Sequence, residues 1–162
     1  MKNEILEHPF APVFDKNSVI LILGTFPSVM SRENSFYYGN PQNRFWRVIS
    51  GILKTDLPCS IEDKKSLLLE NGIALWDVIH SCTIEGSSDS SIKDVVPNDL
   101  SIILNNCGIK HIYSNGRTAQ ILYNRYIRHH TGREIIALPS TSPANAAYNI
   151  DRLIRFWSCI LN

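Results

Sequence analysis

The chain has 162 residues, of which 44% are hydrophobic and 19% are charged, and its net charge is +1. This length and balance predict one globular domain spanning 1–162 and exclude a disordered or fibrous chain. No apolar run approaches 18 residues, so we expect no membrane span. The first residues lack a basic stretch followed by an apolar leader, so we expect a cytoplasmic protein. We also expect it to be a monomer.

Metal, disulfide and nucleotide chemistry lack their usual sequence patterns. No Cys-x-x-Cys pair and no ligand-spaced histidines occur, so we predict no metal, no cofactor and no disulfide. The cysteines are expected to be small buried side chains: Cys59, Cys82, Cys107 and Cys159. There is also no G-x-G-x-x-G and no Walker lysine, which disfavours NAD and ATP binding.

Apolar runs alternate with helical patterns along the chain. The predicted elements are, in order, a strand at 19–23, helices at 44–53 and 61–70, a strand at 73–79, a helix at 100–106, a strand at 110–114, a helix at 119–128, a strand at 134–138 and a helix at 144–161. This alternation predicts an α/β fold with a parallel sheet and helices on both faces. A segment rich in Ser and Gly, 85–94, is predicted to be a mobile loop.

Parallel sheets bind ligands beyond the carboxyl ends of their strands. Four segments follow the predicted strands and should meet at that edge: 24–28, 77–81, 114–117 and 139–143. His80 falls near the edge and either touches a substrate or is merely packed or exposed. The segment 110–155 holds seven Lys and Arg against two acids, which favours phosphate contacts or ordinary solvated helix faces about equally.

The segment "LPSTSPANA", 138–146, carries three hydroxyls before a proline that can begin the last helix. Hydroxyls beside the free N–H groups of a helix start can hold a phosphate. Simple helix capping is the alternative, although one serine would suffice for it.

Three segments are informative when they are considered together: "GTFPS" at 24–28, "YYGNPQNRFW" at 37–46 and "LPSTSPANA" at 138–146. In combination they resemble the uracil-DNA glycosylase superfamily, and most closely its hypoxanthine-DNA glycosylase branch. The resemblance implies a three-layer α/β/α sandwich with a four-stranded parallel sheet. It also implies an enzyme that flips a deaminated base, hypoxanthine or uracil, out of DNA and hydrolyses its N-glycosidic bond without a metal or cofactor.

The resemblance also suggests which side chain positions the attacking water. Uracil-specific relatives place an aspartate, and mismatch-specific relatives an asparagine, where this chain has Phe26. Phe26 can serve neither role, so the asparagine of this branch is carried over to Asn43, with Asn40 as second choice. Asn43 could equally cap the helix that begins at Arg44, and both roles can coexist.

Further roles follow from the resemblance. One of Phe36, Tyr37 and Tyr38 would stack on the flipped base. Asp77 would read the base edge, or would instead turn away to cap the next loop. The full assignment is base binding by Gly24, Thr25, Phe26, Tyr37, Tyr38 and Asp77, phosphate binding by Ser28, Ser140, Thr141 and Ser142, and insertion into the base stack by Asn145.

Two other functions fit the same sequence. One is a uracil-specific or mismatch-specific glycosylase with little activity on hypoxanthine. The other is a nucleotide-binding or nucleic-acid-binding module on the same fold without turnover, because α/β sandwiches carry many functions. The segment 37–46 with Asn40 and Asn43, here called the amide string, combined with the three hydroxyls favours the glycosylase.

Overall fold

A computed structural model describes residues 4–84 and 91–162. The elements are, in chain order, β1 (Ile5–Glu7), β2 (Ile20–Gly24), α1 (Val29–Asn34), α2 (Phe45–Leu53), α3 (Ile61–Glu70), β3 (Ile73–Asp77), β4 (Ile79–Thr83), β5 (Lys93–Pro97), α4 (Ser101–Leu104), β6 (His111–Asn115), α5 (Arg117–Tyr126), α6 (Arg128–Thr131), β7 (Ile135–Leu138), α7 (Ile150–Trp157) and a final 3-10 helix (Ser158–Leu161).

The predicted parallel sheet is present, with strand order β3-β2-β6-β7 and all neighbours parallel. β2 lies inside the sheet and all five of its residues are buried, which explains its continuous apolar run. The register pairs Gly24 with Asp77 at the carboxyl end. Gly24 and Asp77 therefore lie side by side at the predicted ligand edge.

The single strand predicted at 73–79 is wrong. β3 ends at Asp77, and β4 begins at Ile79 in a second, antiparallel sheet of order β1-β4-β5. At the junction the N–H of Val78 donates to the carbonyl of Gly24, and that of Ile79 to Thr25. A wholly buried apolar run hides such a change of sheet, because side-chain burial stays constant through it.

The last helix was predicted to start at 144 but begins at Ile150, where the Asn149 side chain caps it. Its Trp157 was predicted to be a core residue, and it is fully buried with its ring N–H donating to the Pro139 carbonyl. The helix predicted at 100–106 covers only Ser101–Leu104, whereas α1 was not predicted. Residues 144–149 are not helical, so the predicted helix does not start directly after the three hydroxyls.

The loop prediction for 85–94 is partly outside the described residues, since 85–90 are not described. Lys93 and Asp94 belong to β5, so the loop prediction is wrong for them. Cys59 is exposed, contrary to expectation, while Cys82 is buried. Among the described residues no helix is long and apolar enough to cross a membrane.

Candidate active site

The carboxyl ends of the parallel strands open into a cleft of about 470 Å³. It brings together the turn after β2, the amide string before α2, the loop after β7 and the last residues of β3 and β6. The predicted site residues that line it are Gly24, Thr25, Phe26, Ser28, Tyr37, Tyr38, Asn40, Asn43, Asp77, Ser140, Thr141 and Ser142.

Asn43 is held by a chain of side-chain hydrogen bonds. Its Oδ1 accepts the backbone N–H of Phe45 at 2.9 Å and the hydroxyl of Thr141 at 2.8 Å. The Thr141 hydroxyl in turn accepts from Nδ2 of Asn115 at 2.9 Å, while Oδ1 of Asn115 accepts the N–H of Thr141 at 3.0 Å. Asn43 thus caps the start of α2 and is joined to the end of β6.

These bonds fix which way the Asn43 amide points. Both donors need an acceptor, so the carbonyl oxygen must face them and its two lone pairs are used. Within 4–84 and 91–162 the Nδ2 group has no acceptor, and Asn43 lines the cleft. Asn43 therefore offers the cleft a hydrogen-bond donor.

Thr141 was expected to hold phosphate, but its side chain is fully buried. Its hydroxyl proton goes to Asn43 and its oxygen accepts from Asn115. The hydroxyl therefore has no proton left to donate to a DNA phosphate, and its geometry suits a residue that positions Asn43.

Asp77 ends β3 with 5% of its side chain exposed. Its Oδ2 lies 2.7 Å from Nε2 of His8, and its backbone carbonyl accepts from Nδ2 of Asn98 at 2.8 Å. A Cβ at Gly24 would lie 2.4 Å from Oδ1 of Asp77, so glycine is what allows this carboxylate to lie over β2. The carboxylate lines the cleft and does not turn away to cap the next loop.

The aromatic residues named from the sequence differ in access. Phe36 is buried in the core against Trp46 and does not line the cleft, so a stacking role for Phe36 is wrong. Tyr37 lines the cleft but is buried, and its hydroxyl donates to the Ala11 carbonyl at 2.9 Å. Burial, followed by the nearby charge of Asp77 and by Tyr38, raises the pKa of Tyr37 well above its usual range.

Phe26 and Tyr38 are the more accessible aromatic rings. Both are partly buried residues of the cleft wall, and Tyr38 stacks on Phe45 with ring centroids 4.1 Å apart. Phe26 is packed edge-on by the His8 ring at 6.0 Å. Two rings, each packed against another ring, therefore line the cleft where a planar ligand could stack.

The loop after β7 is shaped by Arg44. Its guanidinium donates to the carbonyl groups of Thr141, Ser142, Asn145 and Tyr148, and its backbone N–H also bonds the Thr141 carbonyl. Four carbonyl groups of the loop are thus held by one side chain, that of the residue directly before α2.

Ser140 and Ser142 each accept a hydrogen bond from the backbone two residues ahead. Their hydroxyl protons have no acceptor within the described ranges, so both can donate into the cleft that they line. Asn145 was expected to enter the base stack, but its Nδ2 donates to the Ser140 carbonyl at 2.9 Å and it does not line the cleft.

Three further predicted residues have mainly local roles. Asn40 accepts the N–H of Gln42 at 2.9 Å and so shapes the turn before α2. Ser28 caps α1 through the N–H of Ser31. His80 is exposed and lies outside the cleft.

His8 and Arg44 were not predicted from the sequence to belong to the site. Asn115 was predicted only as part of the edge segment 114–117, without a role of its own, and it is the last residue of β6. Arg44 stood inside the amide string, but nothing local indicated that it reaches Tyr148. His8 comes to Asp77 through the pairing of β1 with β4, which depends on contacts about 75 residues apart in the chain.

Comparison with known proteins decides the family. The model of the uracil DNA glycosylase superfamily matches residues 11–159. The chain belongs to the uracil DNA glycosylase superfamily. The resemblance stated from the sequence is thus confirmed, and so is the fold that it implied.

Members of the superfamily with a closely similar sequence come from Methanosarcina. The hypoxanthine DNA glycosylase of Methanosarcina acetivorans is 38% identical over 156 residues, which is 91% of this chain and 94% of that protein. The one of Methanosarcina barkeri is 38% identical over 110 residues, covering 67% of this chain and 70% of that protein. The solution NMR structure of a candidate uracil DNA glycosylase from M. acetivorans matches with a TM-score of 0.81 and 36% identity, over 98% of this chain and 97% of that one.

Proposed function

We propose that the protein is a monofunctional DNA glycosylase that hydrolyses the N-glycosidic bond of deaminated bases, with hypoxanthine as its main substrate. The observation that carries the proposal is one cleft holding both the Asn43 amide donor and the Asp77 carboxylate. The M. acetivorans relative named for hypoxanthine covers 91% of the chain and supports the choice of base. We further propose that the whole chain is one domain, acting as a cytoplasmic monomer on DNA.

The chemistry requires a base outside the duplex, because a cleft at a sheet edge cannot reach an atom inside the stack. The bond to C1′ breaks as its electron pair leaves with the base, and the sugar becomes oxocarbenium-like. Water then adds its oxygen to C1′ and loses a proton to solvent, while the departing base takes up a proton and leaves as the neutral free base. A cation of this kind needs a placed water more than a deprotonated one, so orientation supplies much of the barrier reduction.

Asn43 is suited to place that water by donating Nδ2–H to its oxygen. One lone pair of the water accepts from the amide, and the other remains free to attack C1′. The Asn43 carbonyl, occupied by Phe45 and Thr141, is not available to take up the proton. Asn43 therefore orients the nucleophile without acting as a general base.

Asp77 is suited to read the base. Hypoxanthine and uracil both present an N–H beside a carbonyl oxygen, and a carboxylate oxygen accepts from the N–H. Phe26 and Tyr38 add stacking, which any base can accept and which a purine exploits most. One acceptor and two stacking rings together favour activity on several deaminated bases, with a preference for the larger purine ring of hypoxanthine.

Ser140 and Ser142 are suited to hold a phosphate beside the flipped nucleotide. Each has a hydroxyl proton to donate, and Arg44 holds carbonyl groups of their loop. Such contacts position the DNA and carry no sequence information. Thr141 contributes indirectly, through Asn43.

The test is a nicking assay at excess enzyme on end-labelled strands that carry inosine, uracil, a T·G mismatch or only normal bases, followed by alkali. We expect cleavage at inosine, slower cleavage at uracil, none on normal DNA, and unchanged rates in a chelator of divalent metals. Exclusive cleavage at uracil or the mismatch would favour the other glycosylase specificity. Binding without any cleavage would overturn the proposal in favour of a non-catalytic module.

A further inference from the structure

His8 is the direct partner of Asp77 and belongs to a part of the chain that neither the motifs nor the resemblance involved. It follows β1, and its backbone N–H donates to the His80 carbonyl, which anchors it to β4. Its side chain is only 2% exposed, and Nε2 lies 2.7 Å from Oδ2 of Asp77. A buried imidazole therefore contacts the carboxylate from the side away from Gly24.

The surroundings of His8 restrict which of its ring nitrogens can carry a proton. The ring is enclosed by Phe10, Phe26 and Tyr37, at centroid distances of 4.7, 6.0 and 5.9 Å. Nδ1 is buried and has no hydrogen-bond partner among the described residues. A proton on Nδ1 would be a buried unsatisfied donor, which is costly, whereas a proton on Nε2 meets the carboxylate. The ring is therefore expected to carry a proton on Nε2, facing Asp77.

This arrangement fixes what Asp77 can present to the cleft. With Oδ2 accepting from Nε2–H, the carboxylate is satisfied as an acceptor and its plane is set. Oδ1 then lies beside Gly24 at the cleft, on the side where a base enters.

We propose that His8 is a positioning residue of the base site, which holds Asp77 as a fixed hydrogen-bond acceptor for the N–H edge of the extruded base. This inference rests on the proposed function. It assigns base recognition to a pair of residues contributed by two different sheets, β3 for Asp77 and the end of β1 for His8.

The test compares two amide substitutions that differ in where the donor lies. In His8→Gln the amide nitrogen falls near the place of Nε2 and can still reach Asp77, whereas in His8→Asn it falls near the place of Nδ1 and cannot. We expect His8→Asn to lower single-turnover excision of hypoxanthine about tenfold or more. His8→Gln should stay within about threefold of wild type, as should His80→Ala, which alters an exposed histidine outside the cleft.

A double-mutant cycle separates recognition from general loosening of the fold. In an Asp77→Asn background, His8→Asn should cost less than about threefold, since the carboxylate that His8 holds in place is already absent. Equal losses in both backgrounds, or equal rates for the Asn and Gln variants, would overturn the inference. Wild-type protein that cleaves no deaminated base would instead overturn the proposed function.

Histidine ¹⁵N NMR on the unaltered protein provides a second measurement that does not depend on a stable variant. We expect His8 to show a protonated Nε2 and an unprotonated Nδ1, and this signal should shift in Asp77→Asn. An unprotonated Nε2 with the proton on Nδ1 would contradict the inference.

Discussion

The hydroxyl of Thr141 donates to Oδ1 of Asn43 across 2.8 Å, although the two residues are 98 positions apart in the chain. Together with the N–H of Phe45, this bond leaves only the amide nitrogen of Asn43 to face the cleft. The amide orientation, and with it the chemistry that Asn43 can perform, is thus set by a residue from the loop after β7.

Replacing Asn43 tests whether the site needs a donor or an acceptor. Asn43→Ala should lower single-turnover excision by about two orders of magnitude, the usual cost of losing one preorganised polar group, and stability by about 1 kcal/mol for the lost cap. Asn43→Asp keeps the cap and replaces the donor by an acceptor, so it should lose as much activity with little change in melting temperature. An active Asp variant would show that the site takes up a proton from the water.

Thr141→Val keeps the shape of the side chain but removes its hydroxyl. It leaves Asn43 Oδ1 and Asn115 Nδ2 each without one partner, so unfolding should become easier by about 1–3 kcal/mol. Excision should fall about tenfold because the Asn43 amide is no longer fixed, while affinity for an abasic product should change little. Thr141→Ser is the matched control and should retain activity. A large loss of product affinity in the Val variant would indicate a direct phosphate contact.

Asp77→Asn should raise the ratio of uracil to hypoxanthine excision. A carboxylate accepts from the base N–H but opposes its carbonyl, whereas an amide can satisfy both groups and so favours a two-point grip on uracil. The ratio is measured by single-turnover kinetics on matched oligonucleotides that differ only in the damaged base. If the ratio stays constant or falls, Asp77 does not read the base.

Gly24→Ala places a Cβ 2.4 Å from Oδ1 of Asp77 and 2.8 Å from the Tyr38 hydroxyl. Since β2 is paired on both sides, the backbone cannot retreat and Asp77 must move. We expect at least a tenfold loss of hypoxanthine excision and about 1–3 kcal/mol of destabilisation from overpacking. Gly108→Ala, where a Cβ would meet nothing within 4 Å, is the control and should be neutral. A Gly24→Ala enzyme with full activity would show that excision does not depend on the position of Asp77.

Arg44→Lys preserves charge but replaces a planar fork of five donors by a single ammonium group. Lysine cannot serve all of the carbonyls that Arg44 binds between Thr141 and Tyr148. The loop should loosen, stability should fall by about 2 kcal/mol, and affinity for abasic DNA should weaken about tenfold. Arg47→Lys changes an exposed neighbour in α2 and should have little effect on either quantity. Unchanged DNA affinity in Arg44→Lys would mean that the loop shape does not matter for binding.

The sequence by itself determined the parallel sheet, the edge at which the site lies and most of the residues that line the cleft. These features follow from local information: buried apolar runs, polar residues directly after them, and strings specific to a family. Residues 24–28 and 138–146 met at one edge because parallel strands place their carboxyl ends together.

Only the tertiary structure decided what those residues present to a ligand. The change of sheet at Val78 brings β1 beside β4 and His8 to Asp77. Arg44 holds the loop after β7 by its carbonyl groups, where a helix had been predicted at 144–149. Thr141 holds the Asn43 side chain instead of facing a ligand. Each of these depends on hydrogen bonds between residues about 70–100 positions apart, and their geometry is fixed only when the sheets and helices pack. Local periodicity and residue propensity carry no information about contacts between residues so far apart in the chain.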